Sequence, residues 1–269
     1  MPLIETQNPA LKTLTGLHLW HAPLSSCSQR VRLVLSELNR DFESHLVNLE
    51  AGEHASEAYQ AIHPKGVVPA LVDDGRLYIE SVDIIQHLAQ GHADLMCADA
   101  DLLALADGAQ LDLKLLTFEF LFRGAPPPDP KQVQAFQENH KNAWLRQFYR
   151  DFQAGFDRAR VDYAVRRTDA ALKLLDARLA DGRKYLSGEA FSLSDIAWLP
   201  NIHRYAMMGW SYENTPRLSA WFAGMKNRPS YGTALIDWQP VEIRNAFATY
   251  TQRRSEEGTD IRAFGGVYE

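Results

Sequence analysis

Four consecutive residues, Ser25, Ser26, Cys27 and Ser28, set three hydroxyls and a thiol directly ahead of an amphipathic stretch. Hydroxyl side chains at a helix start either cap the free backbone N–H groups or join those groups in holding an anion. Two other segments carry polar chemistry at element boundaries. In Val68-Pro69 a proline between an extended segment and a strand cannot donate to a ladder. It suits a cis turn that leaves the Val68 N–H and C=O open to an extended peptide. Glu80-Ser81 stands where a second helix begins, offering free N–H groups to a carboxylate with a hydroxyl beside them. Together the three describe a site for a small peptide carrying a carboxylate and an anionic reactive atom. Cys27 has two readings, a small buried hydrophobe or a reactive thiol.

The elements that must position these residues are legible in the pattern. "LHLWH" (17–21) alternates as a half-buried strand does, "APLSS" breaks it, and Val31, Val34, Leu35 and Leu38 fall on one helical face. "FESHLVN" (42–48) is a second strand. Ala70–Asp73 and Leu77–Glu80 flank Asp74-Gly75, a strong hairpin signal, and "ESVDIIQHL" then opens a helix that ends at Gly91. The order βαβ then ββα predicts a sheet of about four strands, the first two parallel. From about residue 100 the pattern is helical: 101–122, a stretch ending at Gly182, a Ser192-x-x-Asp195 capping box that makes Asp195 structural, and a helix opened by Thr215-Pro216. "GAPPPDP" (124–130) is an extended break, and the tail after about 238 reads as polar.

The fold class expected is α+β: residues 17–91 form a small βαβ-ββα domain, residues 100–237 an all-helical domain, with an extension at 1–16 and a tail at 238–269. Of 269 residues 46% are hydrophobic and 23% charged, which is ordinary for a globular chain. A net charge of −6 without any Lys/Arg block excludes the electrostatic footprint of a nucleic-acid binder. No basic, apolar leader and no membrane-length apolar run is present, and two cysteines fit a reducing compartment, so a cytoplasmic protein is expected. The nine histidines are scattered without ligand spacing, and no metal is expected.

These motifs resemble those of the glutathione transferase superfamily, whose N-terminal domain has the thioredoxin fold. "SSCSQRVR" is similar to the serine motif of zeta-class members, "GEHASEAYQAIHPKGVVPALV" (52–72) to a family segment in which His63 stands where Asn is usual, "ESVDIIQHL" to a helix start, and "SLSDIAW" to a C-terminal helix motif. The resemblance spans roughly 17–237 and implies glutathione as co-substrate. Ser25 would donate a hydrogen bond to its sulfur, favouring a thiolate that is otherwise mostly protonated at neutral pH. Val68-Pro69 would pair with the cysteinyl backbone, Glu80 and Ser81 would hold the γ-glutamyl end, and His54 would reach the glycine carboxylate. "RPSYGTALIDW" and "SxCSxxxRL" also resemble reductive dehalogenases, in which the cysteine corresponding to Cys27 forms a mixed disulfide with glutathione.

Arg30 and Arg32 either touch substrate or pair with surface carboxylates. Phe118, Phe122, Trp144, Tyr205 and Trp210 either line an apolar cavity or belong to the core. The resemblance implies a homodimer and a hydrophobic electrophile: an aromatic ether or halide, or an unsaturated diketo acid to be isomerised. The competing readings are a non-catalytic scaffold of the same fold and a thiol–disulfide reductase working through Cys27.

Overall fold

The computed structural model describes residues 3–6, 8–96 and 98–268, so Cys97 lies outside the described residues. The chain begins with β1 (Leu3–Ile4), β2 (Leu17–His21), α1 (Ser26–Glu37), β3 (Glu43–Leu46), α2 (Glu57–Gln60), β4 (Ala70–Asp73), β5 (Arg76–Ile79) and α3 (Ser81–Leu88). The sheet has five strands in the order β1-β5-β4-β2-β3, one more than the sequence predicted. The added strand comes from the N-terminal extension, which pairs antiparallel with β5 through Leu3↔Tyr78 and Ile4↔Leu77. Two residues are too few to show a strand period. As expected, β2 and β3 run parallel across the α1 crossover. Asp74 and Gly75 take φ of 45° and 76°, the pair of positive angles that a two-residue hairpin requires.

Alternation along the strands gives each sheet face its own core. On one face Ala70, Val72, Leu77 and Ile79 pack with Leu11, Leu14, Trp20 and Ile62. On the other, Leu19 and Leu71 are fully buried, and His87 of α3 stacks on Tyr78 at 3.8 Å.

The remaining helices are α4 (Ala93–Met96), α5 (Ala100–Gly108), α6 (Gln110–Phe120), α7 (Pro130–Asn139), α8 (Ala143–Ala154), α9 (Arg158–Arg178), α10 (Leu193–Met207), α11 (Pro216–Lys226), α12 (Pro229–Tyr231) and α13 (Val241–Glu256). The single helix predicted over 101–122 is two, parted at Gly108-Ala109, where glycine is the weakest helix former of the stretch. Contacts group residues 1–88 with 127–154 in one compact unit and 89–126 with 155–269 in a second. The segment after the proline run therefore packs with the sheet. Gln60 clamps it there, donating from Nε2 to the Asn139 carbonyl at 3.1 Å and accepting from Lys141 N–H at 2.9 Å. Phe136 and Leu145 close over Ala55.

In the second unit α10 is buried almost throughout, and its capping box forms as expected. Asp195 accepts from Ser192 N–H (3.0 Å), Leu186 N–H (3.0 Å) and Trp221 Nε1 (2.9 Å). The tail, which reads as polar in sequence, forms α13 and a terminal turn. Phe247 and Tyr250 are buried, Phe264 meets Phe120 edge-on at 5.3 Å, and Gly265 N–H donates to Asp162 at 2.8 Å. Phe118, Tyr205 and Trp210 are buried and Trp144 is exposed.

Candidate functional site

One row of paired residues organises the site. Trp20 of β2 stands opposite Ala70 of β4, which stands opposite Ile79 of β5. Just beyond that row the chain leaves the sheet three times, at Ala22–Ser25, at Val68-Pro69 and at Glu80-Ser81. Antiparallel pairing of β4 with both neighbours puts all three exits at the same end of the sheet. The convergence expected from the sequence is thus a consequence of register.

Ser25 is the N-cap of α1, with extended φ and ψ of −70° and 120°, and its Oγ accepts from Ser28 N–H at 3.2 Å. The cap function expected of a serine here is therefore present. It uses an acceptor lone pair and leaves the hydroxyl proton uncommitted: among the described residues Ser25 Oγ donates to no protein acceptor. Capping and donation to an anion are therefore compatible in this one hydroxyl. Cys27 sits in the first turn of α1, half-buried and not in a disulfide.

The loop that carries Ser25 is held from beneath by two residues the sequence did not single out for this work. Ser28, fully buried, accepts from Ala22 N–H at 3.3 Å. Arg32 donates to the Pro23 carbonyl (2.9 Å), the Ala22 carbonyl (3.3 Å) and His21 Nδ1 (2.9 Å). With Nδ1 accepting, His21 donates from Nε2 to Ser44 Oγ at 2.8 Å. Burial, with the Arg32 charge beside it, pushes the His21 imidazole down to about 3, so it is neutral at physiological pH.

Arg30 and Arg32 do not lie on the surface, where one reading placed them. Both side chains are buried because their positions on α1 face the sheet and α3. Arg30 donates to Ser81 Oγ at 3.2 Å.

The Val68-Pro69 bond is cis. Among the described residues neither the Val68 N–H nor its C=O has a hydrogen-bond partner in the protein. The preceding Val67 carbonyl is tied down by Tyr59 O–H at 2.7 Å, and the Gly66 carbonyl accepts from His140 Nε2 at 2.9 Å. Gly66 itself has φ of 59°, and a Cβ there would lie 2.7 Å from His140 Nε2 and 2.8 Å from the His54 carbonyl.

Glu80 takes a left-handed φ of 65°, unusual for a side-chain-bearing residue and a mark of local constraint. It turns the chain from β5 directly into α3, whose first amides face the same end of the sheet, and Ser81 is buried there. The Glu80 carboxylate pairs with Lys65 Nζ at 2.5 Å on the surface.

His54 stands elsewhere than the sequence suggested. Where the resemblance has it reach a carboxylate, it is 3% exposed, enclosed by Phe136 and His140 with ring centroids 5.3 Å away in each case. The cause is α7, which docks on this side of the sheet unit and whose location no local pattern announces. His63, where the resemblance leads one to expect Asn, is also buried and accepts from Lys65 N–H at 3.3 Å.

A small mixed sheet with two helix N-termini, a cis-proline turn with an unpaired backbone edge and a left-handed turn into a helix at one end has the architecture of a thioredoxin-like domain. Residues 19–94 match the family model of the glutathione S-transferase N-terminal domain and residues 110–224 that of the glutathione S-transferase C-terminal domain, and the chain belongs to that family. A glutathione S-transferase of Nicotiana tabacum is 29% identical, over 78% of this chain and 92% of its own. The tetrachloro-p-hydroquinone reductive dehalogenase of Sphingobium chlorophenolicum is 28% identical, over 81% and 95%. Among solved structures, the beta-etherase LigF from Sphingobium sp. strain SYK-6 superposes with a TM-score of 0.71 at 21% identity, over 82% of this chain and 98% of that one.

Proposed function

We propose that this chain is a serine-type glutathione transferase, in which Ser25 stabilises the thiolate of glutathione for attack on, or reduction of, a hydrophobic aromatic electrophile. The observation that carries this reading is the Ser25 hydroxyl, fixed as the cap of α1 with its proton free to donate. A thiolate at that helix end gains from the amide dipoles and from one charge-assisted hydrogen bond, and no proton has to leave the serine. The Val68 N–H and C=O pair with the cysteinyl residue as a short antiparallel strand, Pro69 fixing the turn behind it. The γ-glutamyl carboxylate takes the amides at the start of α3 and the Ser81 hydroxyl, with the buried Arg30 charge directly behind them. Its ammonium group takes Glu80. The glycyl carboxylate finds no ligand in His54 in this reading, since that imidazole is enclosed. The chain acts in the cytoplasm as a homodimer, and its relatives' names, a dehalogenase and an etherase, favour an aryl halide or aryl ether as second substrate.

The test is glutathione binding by calorimetry, followed by turnover of a generic aryl halide and reduction of a glutathione mixed disulfide by Ser25→Ala and Cys27→Ala. Losing one hydrogen bond to a charged sulfur should lower kcat/KM for the aryl halide by about 10- to 100-fold in Ser25→Ala, with Cys27→Ala close to wild type. Loss confined to Cys27→Ala would assign the chemistry to the thiol, and absence of glutathione binding would leave a scaffold of the same fold.

A further inference from the structure

We propose a transition-metal site, suited to Zn²⁺, at the β3 edge of the sheet, formed by His18 Nδ1, His45 Nε2 and the carboxylate of Glu43. Glu43 and His45, at i and i+2 on β3, share a face, and His18 joins them only because β2 and β3 pair in parallel with His18 opposite Glu43 and Trp20 opposite His45. That register sets His18, Trp20, Glu43 and His45 on one face of the sheet, the face opposite α1.

The distances fit one small cation. His18 Nδ1 and His45 Nε2 are 3.0 Å apart, and Glu43 oxygens lie 3.5 Å from His18 Nδ1 and 3.7 Å from His45 Nε2. Ligand atoms of a tetrahedral zinc, each about 2.0–2.1 Å from the metal, are separated by about 3.3 Å; the oxygen near His18 is Glu43 Oε2 and the one near His45 is Oε1, so the exposed carboxylate must turn to bring one oxygen to both imidazoles. Two imidazoles and one carboxylate are also the donor set zinc accepts with a fourth position left to water.

The surroundings orient the donors as they would in a built site. His18 Nε2 lies 3.2 Å from the Thr15 carbonyl. A proton on Nε2 is the one arrangement that satisfies this contact, and it leaves Nδ1 with a lone pair for a metal. Trp20 lies flat against the His45 ring, with centroids 4.3 Å apart and planes at 11°, fixing the second donor. His18 is buried, His45 half-buried and Glu43 exposed, which gives the ion a route in. Bound there, the metal would clip the edge strand β3 to β2.

The experiment uses the full chain, stripped with a chelator and titrated with Co²⁺ as a visible probe, then with Zn²⁺ in competition. One equivalent of Co²⁺ with the intense d–d absorption of a four-coordinate site, displaced by Zn²⁺, is expected. His45→Ala and Glu43→Gln should each weaken the uptake at least about tenfold. Circular dichroism checks the fold of each variant, and Glu43→Gln, altering an exposed side chain without changing its size, decides the matter if His45→Ala does not fold. Absence of stoichiometric uptake, or uptake that survives both substitutions, overturns the site and leaves an ordinary histidine–histidine hydrogen bond with a neighbouring carboxylate.

Discussion

Arg30, fully enclosed, donates from Nη1 to Ser81 Oγ at 3.2 Å and so joins the body of α1 to the first residue of α3. One cation thereby touches both helices whose N-termini meet at the candidate site. If it serves the γ-glutamyl carboxylate through Ser81, Arg30→Met should raise KM for glutathione by about tenfold with a smaller change in kcat, because the group lies remote from the sulfur. Steady-state kinetics at varied glutathione checks this. Equal loss in kcat and kcat/KM would mean that the arginine acts on the reacting end.

Gly66→Ala should destabilise the chain by at least about 1–2 kcal/mol, since the new Cβ meets His140 Nε2 and the His54 carbonyl and the φ of 59° disfavours a side chain. It should also weaken glutathione binding, because Gly66 lies two residues before Val68. Urea denaturation and calorimetry on the same variant read the two effects.

Stability should fall with acid in a window set by three buried histidines. Burial is the leading cause in each: it pushes His21 and His203 down to about 3 and His63 to about 4. Their folded pKa values lie below the unfolded value near 6.5, so the unfolded chain takes up protons first as pH drops. The stabilisation is complete above about pH 6.5 and is lost progressively below it. At pH 5 each histidine accounts for up to about 2 kcal/mol. Calorimetric Tm measured from pH 7.5 to 5 should decline steadily, and a flat profile would contradict the assignment.

Asp195→Ala should cost about 3–5 kcal/mol, because it strands Leu186 N–H, Ser192 N–H and Trp221 Nε1 in a buried setting. The folded fraction should keep its affinity for glutathione, which chemical denaturation combined with calorimetric binding resolves.

Gln60→Ala removes the two hydrogen bonds through which Gln60 ties the end of α7 to the sheet unit, leaving the one from His140 to the Gly66 carbonyl. Hydrogen exchange should show lost protection in residues 127–154 while β2 and β4 stay protected, since local opening follows the contacts removed. Unchanged protection there would assign the docking to the Phe136 and Leu145 packing and the His140–Gly66 hydrogen bond.

The amino-acid order by itself determined whatever depends on near neighbours. Period-2 and period-3.6 patterns placed β2, α1, β3, the Asp74-Gly75 hairpin and α3, because a side chain's face follows from its position in the run. Ser25 as an N-cap and Ser192-x-x-Asp195 as a capping box are interactions across three residues, and their chemistry is written locally. Tertiary structure decided the rest. Leu3–Ile4 became a strand only because β5 offered an open edge. The tail became helical because Phe247 and Tyr250, too sparse for a visible stripe, found buried places. His54 was enclosed because α7, more than 70 residues later, docks over it. Arg30 and Arg32 went inward because a carbonyl-rich loop and a serine awaited them there, something no charge pattern encodes. Glu43 and His45 share the two-residue spacing of one strand face, but strand register alone brought His18 to them.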